Sequence, residues 1–128
     1  MVLLGDMFTV SSRTLTESGE DFQIHLNAQH FIYKAHFPGE PITPGVCILQ
    51  MCMELLSEHI GQKLSLLCAK NVKYLKIIVP DQAADLVVRV QKVQMLESEG
   101  TEPVVKAQIT VLWEDEIYTK LSLECVRK

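Results

Sequence analysis

The residues best placed to do chemistry lie in one run, His36-Phe37-Pro38-Gly39-Glu40-Pro41-Ile42-Thr43-Pro44-Gly45-Val46. An imidazole has a reference pKa of about 6.5, so His36 can take up or return a proton near neutral pH. Further along, Gly45 stands where a helix should begin. The first N–H groups of a helix lack intrahelical partners and sit at the positive end of its dipole, and glycine there admits close approach by another group. A proton-transfer group and a donor suited to growing negative charge therefore flank one short segment. His25, His30 and His59 have no such surroundings and are read as structural or exposed.

Two kinds of element must hold these residues. Pro38, Pro41 and Pro44 each set φ and remove a backbone donor, which excludes a helix or central strand and makes the segment stiff. A helix follows, with Thr43 as the expected N-cap, Pro44 in the first helical position, His59 in the last turn and Gly61 as the stop. That predicts about 17 residues, or roughly 25 Å. Over its first half, Val46, Cys47, Ile48, Leu49, Met51, Cys52 and Met53 leave only Gln50 polar. A helix apolar on all sides is buried. This one is too short to span a bilayer, because its uncharged run ends at Glu54.

The remaining pattern predicts a sheet. Met7 to Thr16 and the alternating Phe22, Ile24 and Leu26 read as a hairpin across the turn Glu17-Ser18-Gly19-Glu20. Leu64 to Val79 reads as a long strand kinked at Asn71, and Pro80-Asp81-Gln82 as a turn. A further strand runs from Leu86 to about Met95, before a polar loop from Glu97 to Pro103. Val105, Ala107, Ile109, Val111 and Trp113 share one face of the next strand; Ile117, Thr119, Leu121, Leu123 and Cys125 share one face of the last, after the turn Glu114-Asp115-Glu116. Five to seven strands, mostly antiparallel, would wrap the one long helix in an α+β domain covering residues 1–128. One sheet cannot cover a helix apolar all round, so a dimer is expected.

Composition bounds the function. A net charge of −4 argues against nucleic acid as a partner. The N-terminus lacks the basic region of a signal peptide. Cys47, Cys52, Cys68 and Cys125 lie in apolar stretches without metal-ligand spacing, and read as buried, reduced thiols of a cytoplasmic protein. No membrane association, metal or other cofactor is expected.

The segment His36-Phe37-Pro38-Gly39-x-Pro41-x-x-Pro44-Gly45-Val46 resembles the 3-hydroxyacyl-(acyl-carrier-protein) dehydratases of fatty-acid synthesis. Val72-Lys73-Tyr74 with Ile78-Val79-Pro80 is a weaker likeness to that family's strand after the helix. The resemblance implies the hot-dog fold, a curved antiparallel sheet around a central helix. It also implies a homodimer or higher even oligomer with sites shared between subunits. His36 matches the catalytic histidine. Gly45 matches the glycine whose N–H binds the thioester carbonyl, and Phe37 and Val46 are expected to flank the substrate. The substrate implied is a 3-hydroxyacyl thioester of acyl-carrier protein or coenzyme A. The family's second catalytic residue, Glu or Asp, falls at Gln50 here, and its segment before the first strand, rich in His, Arg, Tyr and Pro, is missing.

Dehydration needs a base for the carbon next to the carbonyl, a donor for the carbonyl oxygen and a proton for the departing hydroxyl. A carboxamide does not supply that proton, although it can orient water or the hydroxyl. Three readings follow: a slower dehydratase, a differently wired one, or a subunit that binds acyl chains or partners an active homologue. In one wiring His36 both takes and returns the proton. In another Glu54, one turn beyond Gln50, supplies it, although Glu54 reads more simply as a solvent or dimer-interface residue. A thioesterase on the same fold is a weaker alternative. Lys34, Lys70, Lys73 and Lys76 are either a basic patch for an acidic carrier protein or a solvated strand edge.

Overall fold

The computed structural model describes residues 2–35, 39, 41–97 and 99–128. His36 and Phe37 lie outside them. The elements run β1 (Phe8–Leu15), β2 (Glu20–Leu26), α1 (Ile32–Ala35), α2 (Gly45–Ile60), β3 (Leu64–Tyr74), β4 (Asp85–Leu96), β5 (Val104–Trp113) and β6 (Glu116–Arg127). One six-stranded sheet has the order β1-β2-β4-β5-β6-β3, and every neighbouring pair is antiparallel. Helix α2 crosses one face of it and touches β3 and β4. Among the described residues, no helix is long and apolar enough to cross a membrane.

Strand periodicity decides the core. Phe22 and Ile24 of β2, Leu86, Val88 and Val90 of β4, Val105, Ala107, Ile109 and Val111 of β5, and Leu121, Leu123 and Cys125 of β6 are all buried. Against them α2 sets Cys47, Ile48, Met51, Cys52, Leu55 and Leu56. Burial pushes the Cys52 thiol up to about 12 and that of Cys125 to about 11, so both stay protonated as core fillers.

Three details depart from the sequence expectations. Pro44, not Thr43, is the N-cap, and no side chain caps the helix. The Thr43 hydroxyl is spent elsewhere, in a buried hydrogen bond of 3.0 Å with the Tyr33 hydroxyl. The long strand ends at Tyr74 rather than Val79, although the predicted irregularity is present: Asn71 has φ of 53° inside a break in register between Lys70 and Lys73. In β6 the register shifts opposite Val111 and Leu112, which leaves Ile117 exposed and turns Tyr118 inward. At the other end of α2, Gly61 closes the helix as expected, with φ of 81° and its N–H on the Ser57 carbonyl at 2.8 Å.

A charged clamp ties the end of α2 to the first hairpin. Buried Glu20 accepts from Arg13 Nε at 2.6 Å and pairs with His59 Nδ1 at 2.8 Å. Arg13 also donates to the Glu58 carbonyl at 3.3 Å and lies 4.9 Å from the centre of the Phe22 ring. The Arg13 hydrogen bond, chiefly, holds the Glu20 carboxyl below the usual carboxylate range, against a smaller opposing push from burial. A depressed native pKa gives stability that is complete above the unfolded pKa and lost as pH falls through the native one. Glu20→Gln should therefore flatten the acid limb of a stability-versus-pH curve below about pH 5. At neutral pH it should cost about 1–3 kcal/mol, the range for losing a charge-assisted hydrogen bond. Urea titrations at several pH values measure both; an unchanged acid limb would remove Glu20 from the account.

Candidate active site

The start of α2 is built by contact with β3. The Tyr74 hydroxyl donates to the Gly45 carbonyl at 3.0 Å. Its ring lies so close that a Cβ on residue 45 would meet ring and hydroxyl atoms at 2.8–3.1 Å. A side chain at this position would have to displace the Tyr74 ring, which is half exposed. Burial raises the Tyr74 hydroxyl's pKa, which keeps it a donor. Cys47 and Ile48 close the first helical turn onto the Pro44 carbonyl. The N–H groups of Gly45 and Val46 form no hydrogen bond among the described residues. They remain available to an incoming oxygen.

The segment before the helix is fixed at both sides of the proline loop. Tyr33 and Thr43 are 3% exposed and joined through their hydroxyls, and the Thr43 N–H bonds the Ile78 carbonyl at 2.8 Å. His30 is held by Asp6 at 3.2 Å and accepts from the Ile32 N–H. Pro41, Ile42, Ile77 and Val79 line an apolar cleft beside the loop.

Gln50 lies at the junction of two grooves. One is lined by Val46, Leu49 and Met53 of α2 and by Leu64, Ser65 and Leu66 of β3; the other by Glu54, Ser57, Val2 and Leu4. Its Nε2 donates to Glu54 Oε2 at 2.9 Å. Of the solvent or dimer-interface reading of Glu54, the solvent half is corrected. Glu54 is partly buried, and its oxygens accept from the Leu3 N–H at 2.9 and 3.0 Å and from the Leu4 N–H at 2.8 Å. A carboxylate so occupied as an acceptor is poorly placed to deliver a proton. No local pattern in the sequence foretells that contact, which joins residues some fifty positions apart.

The helix is less buried than its composition predicts. Val46 is 69% exposed, and Leu49 and Met53 are partly so. They adjoin edge strand β3, where Leu67 is 57% and Tyr74 52% exposed. The lysines do not form one patch. Lys70 pairs with Glu124 at 2.6 Å and Lys76 with Glu116 at 3.5 Å, while Lys73 stands opposite Lys120. That arrangement matches a solvated strand edge. His25, His30 and His59 each pair with a carboxylate, which agrees with structural roles. Thr119, placed by the alternation on the inward face of β6, is fully buried, and its hydroxyl has no partner among the described residues.

A six-stranded antiparallel sheet with one long helix across its face, the helix start meeting Tyr74 of β3, has the architecture of a hot-dog protein. Solved structures share the architecture. The dehydratase heterocomplex ApeI:P from Xenorhabdus doucetiae superposes with a TM-score of 0.66 at 16% identity, covering 92% of this chain and 96% of that one. A hypothetical thioesterase from Streptococcus pneumoniae TIGR4 superposes at 0.50 and 11% identity, covering 99% and 95%. Residues 12–110 match the model of the ApeI-like family, the ApeI dehydratases, and the chain belongs to that family. It is also 31% identical over 70 residues to the 3-hydroxyacyl-(acyl-carrier-protein) dehydratase FabZ of Clostridium acetobutylicum, a match covering 49% of this chain. The chain spans about half the length of that curated relative.

Proposed function

We propose that the chain removes water from a 3-hydroxyacyl thioester to give the 2-enoyl thioester, with the acyl group carried on acyl-carrier protein or coenzyme A. The observation that carries this reading is the dehydratase-family match, which contains the whole segment from His36 to Gln50. His36 takes the proton from the carbon beside the carbonyl. The electron pair forms the new double bond as the bond from the next carbon to oxygen breaks. The Gly45 N–H holds the charge that builds on the carbonyl oxygen, a type of contact worth about 2.7–4 kcal/mol where it has been removed elsewhere. The imidazolium of His36 then returns the proton to the leaving hydroxyl, so that water departs and the base is regenerated. Gln50 orients that hydroxyl. Phe37 and Val46 flank the thioester, and the acyl chain lies along Pro41, Ile42, Ile77 and Val79. The test is an ultraviolet assay for conjugation, with the purified protein and a 3-hydroxyacyl thioester; absence of turnover with either carrier overturns the reading.

The exposed Val46 and the half-buried Leu49 and Met53 beside edge strand β3 favour a second chain on this face. We assign it to another copy, giving a homodimer with sites at the shared boundary. Sedimentation should report two chains, and Val46→Lys should return one; a monomeric wild type refutes the assignment. The amide at position 50 also favours a second reading, a subunit paired with an active homologue that supplies the acid. Turnover appearing only when such a homologue is added would select it.

A further inference from the structure

Lys73 of β3 and Lys120 of β6 stand directly opposite each other across the strand pair, on the face of the sheet turned away from α2. Both are exposed, and neither forms an ion pair or a side-chain hydrogen bond among the described residues. Like charges set directly opposite weaken a strand pair. Protection of a bare edge accounts for a lysine on β3. It does not account for Lys120, because β6 lies inside the sheet between β5 and β3. Three neighbouring cations on this face are neutralised. Lys70 and Lys106 share Glu124, at 2.6 and 3.4 Å, and Arg89 meets Asp21 at 3.1 Å. Lys92, in the adjoining groove, is a further cation without an ion pair among the described residues.

The two lysines flank a groove. Asn71, Gln91, Gln108 and Thr110 also line it, and no carboxylate does. Two breaks in register adjoin it, one at Asn71 with φ of 53° and one at Lys92 with φ of 52°. Such irregularities bend a strand and re-aim its side chains. The amides and the hydroxyl can all donate. We propose that this groove binds the phosphate of a small phosphomonoester. Such a group carries a charge of about −1.5 to −2 near pH 7 and three strong acceptor oxygens. One dianion would meet both ammonium groups and turn their repulsion into attraction, while the amides and Thr110 serve its remaining oxygens. An acidic protein surface would need positive charge spread over the face, and Glu124 and Asp21 interrupt that spread. A focal pair of cations suits a compact ligand. The site lies across the sheet from Gly45, so the proposal is independent of the dehydratase reading.

The experiment titrates nitrogen-15-labelled protein with glycerol 3-phosphate at low, constant ionic strength and follows the backbone amide resonances. Those of Asn71 to Lys73 and of Lys120 should shift and saturate at about millimolar ligand. Lys120→Gln should weaken binding about tenfold, the worth of one charge-assisted hydrogen bond. Lys120→Arg, which keeps the charge and the donors, should retain it. Lys73→Gln gives a second reading of the same loss, should Lys120→Gln fail to fold. Shifts that do not saturate, or that sodium chloride reproduces at equal ionic strength, overturn the proposal. So does an affinity unchanged in both glutamine variants. Saturation by an acidic peptide, with none by glycerol 3-phosphate, also overturns it and assigns the groove to a protein partner. None of these outcomes bears on turnover of a thioester, and an inactive protein that binds the phosphate leaves this site standing.

Discussion

His36→Ala should reduce turnover of a 3-hydroxyacyl thioester by at least about 10²–10⁴-fold, the usual worth of a positioned acid–base group. The expected loss lies towards the upper end. In the proposed wiring one imidazole serves two steps, taking the proton from carbon and giving it to oxygen. Glu54, one helical turn beyond Gln50, has both oxygens engaged as acceptors. Rate measurements with circular dichroism as a folding control test this. The rate of the wild type should also rise with pH through the range in which an imidazole loses its proton, about pH 6–7, because the base must start neutral. Retention of more than a tenth of the wild-type rate in His36→Ala would exclude it as the base.

Gln50→Glu should raise that rate, by up to about 10²–10⁴-fold. The reason lies in the neighbour. A carboxyl at position 50 would stand where Gln50 Nε2 now reaches Glu54 Oε2 at 2.9 Å. Two carboxylates at that separation cannot both ionise, so one proton is retained and shared across the pair. The substitution therefore supplies a carboxyl already loaded for donation, instead of a second negative charge. It also forfeits the hydrogen bond from the amide, and some stability should be lost in the same variant. An unchanged or lower rate, with folding intact, would show that protonation of the leaving hydroxyl does not limit the reaction.

Much of the fold was legible because its signals are local. The alternation of Val105 to Val111 and of Leu121 to Cys125 shows which faces are buried, and Asn71 marks the kink in β3. The helix end at Gly61 follows from the need for a left-handed residue. The helix start was missed by one residue because the Thr43 hydroxyl has a better offer from Tyr33 across the proline loop. The break in register of β4 between Gln91 and Gln94, with Lys92 at φ of 52°, carries no mark in the sequence, since lysine has no special tolerance for that conformation. The same limit applies around the candidate site. His36, Gly45 and Gln50 stand out by type and spacing, whereas the partners that shape them do not. Tyr74 over Gly45 and the N-terminal backbone on Glu54 are contacts between distant parts of the chain, made only when sheet and helix come together.

The bare rim of β3, with aliphatic side chains beside it, has a consequence for how this protein keeps its shape. If a second copy covers that rim, folding and pairing obey one law of mass action, and the melting point climbs with the amount of protein present. Dilution would then loosen the very boundary on which the proposed pocket depends. Output per chain would cease to be a constant and would follow how crowded the chains are.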